Sequence, residues 1–324
     1  MARIRGKKDA PIRIGISTCL LGQKVRFDGG HKRDRFITDL LGEYFEFIPI
    51  CPEVDIGMGV PREAVHLAGI PDAPRMVGGR TGKDWTQAMN QYSARKARQI
   101  EKYRLSGYIL KAKSPSCGME RVKLSTHAGK ATDQRTTGLY ARHLLERHPL
   151  LPVEEEGRLN DAVLRENFII RVFAYSRLQS LFSNGYKRAD VVRFHTIHKY
   201  LLLAHSSKHY QLLGKLVASV KHMTPSDFCD QYSALFMEGL KFKSTTAKNT
   251  NVLMHMAGFM KNVADNDDRQ RLHQAIEDYH KQLVPLIVPI TLLRHFVEKF
   301  QIEYLTDQIY LNPHPKEMML RNHV

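Results

Sequence analysis

Three short apolar runs, each ending in or leading to a cysteine, constrain this chain more than any other feature. Residues 13–17 lead to Cys19, residues 45–50 to Cys51, and residues 107–112, through Lys113-Ser114-Pro115-Ser116, to Cys117. Runs of this length and composition read as buried strands. In an open α/β sheet, ligands bind beyond the carboxyl ends of parallel strands. If the three runs lie side by side and parallel, the thiols converge on one place. Each thiol also has polar company: Asp28 follows Cys19, Glu53 follows Cys51, and Ser114 and Ser116 precede Cys117. That combination reads as a metal site with one coordination position left for chemistry.

Residues 11–155 alternate strand-like and helix-like segments, which predicts an α/β domain with a parallel sheet. Gly29 and Gly30 mark a loop after the first cysteine, with a helix expected over 33–41. Gly57, Gly59 and Pro61 shape a loop after the second cysteine, ending in Arg62 and Glu63, which could hold a polar ligand. Residues 75–86 read as a hairpin or sheet edge; the lysine there lacks the spacing of a phosphate loop. Pro152, Glu154-Glu155-Glu156 and Gly157 place a domain boundary near 155/156. From 156 to 324 the pattern is helical and strand-poor, an all-α domain of six or seven helices, with starts expected to be capped by Asp161, Asp190, Ser226 and Asp267. Residues 1–10 read as a basic tail without the apolar segment of a secretory signal.

The chain has 324 residues and a net charge of +16. Residues 1–160 hold 28 Lys and Arg against 18 Asp and Glu, and the remainder 21 against 15, so the basicity is spread over both halves. Such a surface attracts polyanions, and a nucleic acid is the expected partner. No apolar run is long enough to span a bilayer, and four cysteines without a secretory signal argue against a disulfide framework, so a cytoplasmic location is expected. Cys229 sits in a helical stretch and reads as a packed hydrophobe. In the helical half, His195, His198, Lys199 and His205 fall along one segment with no acid beside them. They are expected to form a face toward an RNA backbone rather than a metal site. Lys111 and Lys113 are expected to favour the Cys117 thiolate and to serve as further RNA contacts.

The cysteine spacings of 32 and 66 residues, without a C-x-x-C pair, argue against structural zinc. The residues alone leave iron–sulfur and catalytic zinc both open. Resemblance narrows this. The pieces Ile16-Ser17-Thr18-Cys19-Leu20-Leu21-Gly22, Phe27-Asp28-Gly29-Gly30, Cys51-Pro52-Glu53, Gly57-Met58-Gly59-Val60-Pro61-Arg62-Glu63 and Lys113-Ser114-Pro115-Ser116-Cys117-Gly118 resemble the thiouracil desulfidase family. The pieces Phe194-His195-Thr196-Ile197-His198-Lys199-Tyr200-Leu201 and Pro285-Leu286-Ile287-Val288-Pro289 resemble a YbgA-like helical family often fused to it. The combination resembles the tRNA 4-thiouridine desulfidases.

The resemblance implies a 4Fe–4S cluster on Cys19, Cys51 and Cys117 with one iron open, and non-redox removal of sulfur from thiolated uridine in tRNA. It makes Glu53 and Asp28 the expected proton-transfer pair and Ser114, ahead of Ser116, the expected hydrogen-bond partner of substrate or water. No membrane and no obligate protein partner are expected. The competing expectations are a desulfidase of free thiouracil-type bases, a non-catalytic iron–sulfur RNA-binding or redox-sensing protein, and a zinc hydrolase.

Overall fold

The computed structural model describes residues 11–126, 130–183 and 185–323; the expected basic tail at 1–10 lies outside them. The chain divides into two compact units between Asn160 and Asp161.

The first unit is α/β and contains two four-stranded sheets. The first sheet has the order β2-β1-β5-β8, with β1 Ile12–Ser17, β2 Phe45–Ile50, β5 Gly107–Leu110 and β8 Val153–Glu155. All its pairings are parallel. The three cysteine-bearing runs are therefore adjacent, as expected. Ser17 sits opposite Ile50, and Ile16 opposite Ile109, so the three carboxyl ends are level. Ile14, Ile16, Ile109 and Leu110 are buried, which is why these runs read as continuously apolar. Gly15 is the exception, and its partner across the sheet explains it. The Tyr108 ring fills the place that a side chain at Gly15 would take.

β8 was not expected: the sequence places a domain boundary at its acidic run. Glu154 and Glu155 are nonetheless buried. Arg158 Nε bonds Glu154 at 2.6 Å, and the Met119 amide donates to Glu155 at 2.7 Å. Buried carboxylates of this kind persist only when hydrogen-bonded. The expected helix over 33–41 is a short wide turn at Phe36–Leu40 followed by a tight one at Leu41–Glu43.

The second sheet has the order β4-β3-β6-β7, with β3 Val65–Ile70, β4 Ala73–Gly78, β6 Val122–Ser125 and β7 Ala131–Thr136. Of the stretch 75–86, expected as a hairpin or sheet edge, residues 75–78 belong to β4 at the edge of this sheet, and Val77 makes an isolated antiparallel bridge to Asp84; β4 itself pairs with β3. Helices α1 Pro52–Asp55, α2 Thr86–Gln99 and α3 Leu139–Arg147 complete the unit.

The second unit is helical: α4 Ala162–Phe182, α5 Arg188–His205, α6 Ser207–Ala218, α7 Pro225–Lys241, α8 Thr246–Ala257, α9 Asn266–His280, α10 Ile287–Lys299 and α11 Glu303–Thr306. Asp161 caps α4 through the Leu164 amide, as expected. The caps of α7 and α9 are Thr224 and Asp265, not Ser226 and Asp267. Pro225 takes the first helical position of α7, where its missing N–H costs nothing. Among the described residues no helix is long and apolar enough to cross a membrane.

Candidate functional site

The carboxyl ends of β1, β2 and β5 open into a cavity of about 340 Å³, and Cys19, Cys51 and Cys117 all line it. Cys19 lies in a tight turn, Thr18–Leu21, closed by the Gly22 amide on its carbonyl. Cys51 is the residue before α1, with Pro52 opening the helix. Cys117 ends a loop held by the start of α3. There Leu139 and Ala141 donate to the carbonyls of Pro115 and Ser116, and Gly138 to that of Gly118.

All three thiols are free. Burial raises Cys19 to about 11, with Cys51 adding to the rise and Lys111 and Arg26 opposing it. Burial also raises Cys117, while the Ser17 and Ser116 hydroxyls offset it in part. Burial raises Cys51 too, against a hydrogen bond from the Val54 amide. Three thiols held protonated by desolvation become thiolates when a cation binds among them, with release of their protons.

Among the described residues no three His, Cys, Asp or Glu side chains gather closely enough to hold a single metal ion. A lone zinc needs its donors within about 4 Å of one another, given its bond lengths. A donor set of three thiols without an imidazole suits soft, thiolate-bound iron better than oxygen-liganded ions.

Glu53 faces the same cavity. Arg62 holds its Oε2 at 2.5 Å, and the two side chains are only 5 % and 12 % exposed. The same guanidinium donates to the carbonyls of Val25 and Gly59, at 3.0 and 2.9 Å. The other carboxylate oxygen, Oε1, accepts the Ser116 hydroxyl at 2.7 Å. Ser116 is 3.0 Å from the Ser114 hydroxyl, whose oxygen accepts the Cys117 amide at 3.2 Å. Glu53, Ser116 and Ser114 thus form one chain of hydrogen bonds beside Cys117. Its direct link to the carboxylate is Ser116, although Ser114 was the preferred expectation.

Asp28 is placed differently. It is exposed and is not among the cavity-lining residues. Its carboxylate closes its own loop, accepting the Gly30 amide at 3.0 Å and Arg26 at 3.4 Å, and these bonds, the Gly30 amide first, hold its carboxyl below the usual carboxylate range.

Lys111 and Lys113 both line the cavity. Lys111 is paired with Glu156, whose second oxygen accepts the Ala112 amide at 2.7 Å. Its field acts on Cys19, not on Cys117 as the sequence had suggested. Lys113 is exposed at the mouth.

In the helical unit, His198 and His205 are core residues, 0 % and 2 % exposed. Their Nδ1 atoms bond the carbonyls of Phe194 and Phe242 at 2.7 and 2.6 Å. His195 is half-buried and stacks on Tyr210. Of the four, Lys199 alone carries a permanent charge, and it rests over the rings of Tyr200 and Tyr304. The residues that spacing had placed on one face thus belong largely to the core. Arg26, Phe27 and Lys32, which line the cavity, were missed as site residues. Their only sequence signal was membership of the loop that follows Cys19.

Comparison with known proteins gives the following matches. Residues 14–156 match the model of the 2-thiouracil desulfurase family. Residues 199–315 match the model of a protein family of unknown function, DUF1722. The chain is 29 % identical over 158 residues to the uncharacterized protein YbgA of Escherichia coli, across 48 % of this chain and 94 % of that one. It is 28 % identical over 153 residues to the uncharacterized protein YbbK of Bacillus subtilis, across 46 % of this chain and 98 % of that one. A solved structure of a 4Fe-4S-dependent thiouracil desulfidase, TudS, is similar at 27 % identity and a TM-score of 0.37, over 46 % of this chain and 94 % of its own.

Proposed function

We propose, on the premise that residues 14–156 form a 2-thiouracil desulfurase domain, that this chain is an iron–sulfur-dependent desulfidase. Its substrate in this reading is 4-thiouridine carried in tRNA. The observation that carries the proposal is the sharing of one cavity by Cys19, Cys51, Cys117, Glu53 and Ser116. A net charge of +16 and a second, helical unit support a macromolecular polyanion over a free base.

The reaction is a hydrolysis with no net oxidation. The thiocarbonyl carbon gains a bond to the oxygen of water, the C–S bond breaks, and sulfur leaves as hydrosulfide. Cys19, Cys51 and Cys117 would hold a 4Fe–4S cluster, which would supply Lewis-acidic iron to polarise a thiocarbonyl. The protein's own groups handle the proton. Arg62 fixes Oε2 of Glu53, leaving Oε1 as the oxygen that exchanges protons. Ser116 donates to that oxygen and orients it. Glu53 there takes a proton from the attacking water and returns one to the departing sulfur or the ring. Ser114, one bond farther along, steadies Ser116 and the loop that carries Cys117. Lys32 and Lys113 line the cavity, and among the described residues Glu53 is the one acidic residue in that lining.

The test uses anaerobically reconstituted protein with tRNA containing 4-thiouridine, following loss of thionucleoside absorbance and release of sulfide. Turnover that disappears in Cys19→Ala is the expected result. Turnover of free thiouracil alone would remove tRNA from the proposal, and a loaded but inert protein would remove the enzyme.

A further inference from the structure

The second sheet carries a feature that the desulfurization chemistry does not use. An open groove of about 640 Å³ runs along it, lined by Lys113, Arg121, Lys123 and Arg135 together with His66, and none of its lining side chains is acidic. The groove shares Val65, Lys113 and Pro115 with the cysteine cavity, so the two are adjacent.

Among the described residues, the groove's lining offers these cations no acidic partner. Lys123 and Arg135 are directly opposite each other in the antiparallel β6–β7 pair. Like charges in that relation destabilise a sheet. Among the described residues, the Arg135 guanidinium donates to carbonyls of its own strand, Thr132 at 3.2 Å and Gln134 at 2.9 Å. Lys113, at the junction of groove and cavity, holds a left-handed backbone at φ 61°, a conformation that a residue with a side chain adopts at a cost. Of the acids adjacent in sequence, Glu120 exerts its field on Glu155 and Arg158, and Asp133 is not part of the lining. Arg121, immediately before β6, and Lys123 are two residues apart, about 7 Å along an extended chain. That step is comparable with the distance between successive phosphates of one nucleic-acid strand.

We infer that the second sheet is a phosphate track: Arg121, Lys123 and Arg135 hold the RNA backbone flanking the nucleotide whose base enters the cysteine cavity, and Lys113 marks the junction. This rests on thiolated tRNA being the substrate, and it assigns the grip to the catalytic unit itself. Phosphate contacts of this kind fix register without reading sequence. The like-charge pair across β6–β7 is then relieved by the bound polyanion.

The experiment measures tRNA binding by fluorescence anisotropy from 50 to 300 mM salt, with the full chain and with the triple variant Arg121→Ala, Lys123→Ala, Arg135→Ala. Loss of three phosphate contacts is expected to lower the slope of log affinity against log salt by about two to three, and to weaken binding at low salt about ten-fold or more. A second variant, Lys123→Glu, converts the cross-strand repulsion into an opposite-charge pair. It is expected to melt no lower than the wild type while binding tRNA more weakly, a combination that a purely structural role would not produce. Wild-type affinity and salt slope in the triple variant would overturn the track. Failure of the reaction is separate: wild-type protein that binds tRNA through these residues but leaves 4-thiouridine intact would sink the desulfidase reading and keep the track.

Discussion

Ser116 and Ser114 differ by two positions and play different parts. Ser116→Ala removes the hydroxyl that reaches Glu53 Oε1. Turnover should fall about 100-fold, the scale of a lost acid–base partner, with the iron–sulfur absorbance retained. Ser114→Ala removes a bond to Ser116 and to the Cys117 amide, so cluster loading should suffer more than turnover per cluster. Equal effects in the two variants would contradict this division. Arg62→Ala is a further case. It leaves Glu53 buried without its partner, and breaking such a pair costs about 3 kcal/mol. The lone tryptophan, Trp85, lies in the α/β unit, so its fluorescence should report an earlier denaturant midpoint. At this scale the cysteines were legible because each follows an apolar run, a local signal. The choice between serines was not, because it depends on which hydroxyl the 114–117 turn aims at a carboxylate 63 positions earlier. Asp28 was misleading for a related reason: an Asp before two glycines satisfies its own loop.

The loop that carries Cys117 depends on one helix start. Gly138 precedes α3, and a Cβ built there would come within 2.5 Å of the Ser116 carbonyl oxygen. Gly138→Ala therefore has to push the 115–118 loop away from the amides of Leu139 and Ala141 that hold it. Overpacking of this kind costs about 1–3 kcal/mol, and cluster retention after gel filtration should drop with it. Gly157→Ala is the matched control, since nothing lies within 4 Å of its added carbon; it should load and melt like the wild type. The parallel sheet was legible from three buried runs. The second sheet was legible only at its edge, in the stretch that contains β4, because the β3–β6 pairing joins Leu67 to Leu124, 57 positions apart. β8 was hidden by its own chemistry. Glutamates signal solvent until Arg158 and the Met119 amide are brought beside them.

Over the whole molecule the two units store protons differently, and this gives them different acid stabilities. The helical unit buries His195, His198, His205 and His314 as neutral rings. Burial lowers them to about 4, 3, 4 and 4 respectively, and Arg177, Arg321 and Lys248 add to the effect at some of them. Their ordinary value is 6.5. Above pH 6.5 the rings are neutral in both folded and unfolded chains, and their contribution to stability is complete. As pH falls below 6.5 the unfolded chain binds protons that the folded unit refuses, so stability declines through the window down to about pH 4. Below about pH 3 both states are protonated and the loss levels off. Each ring contributes up to about 1.4 kcal/mol per pH unit within that window. In the α/β unit, exposed carboxylates such as Asp28 and Asp39 are held low, an effect that water and salt screen, while burial raises Glu155, a shift that does not weaken the unit as pH falls. The helical signal at 222 nm should therefore lose denaturant resistance between pH 6.5 and 4 more steeply than the Trp85 fluorescence of the other unit. Parallel loss of the two signals, or a helical signal flat across that interval, would show that these histidines are not held neutral in the core. The same burial bears on the RNA-binding face expected from the sequence. A neutral ring inside a helix bundle offers no charge to a phosphate, whereas Arg121, Lys123 and Arg135 are exposed cations. Salt, rather than mild acid, should then be the variable that controls RNA binding.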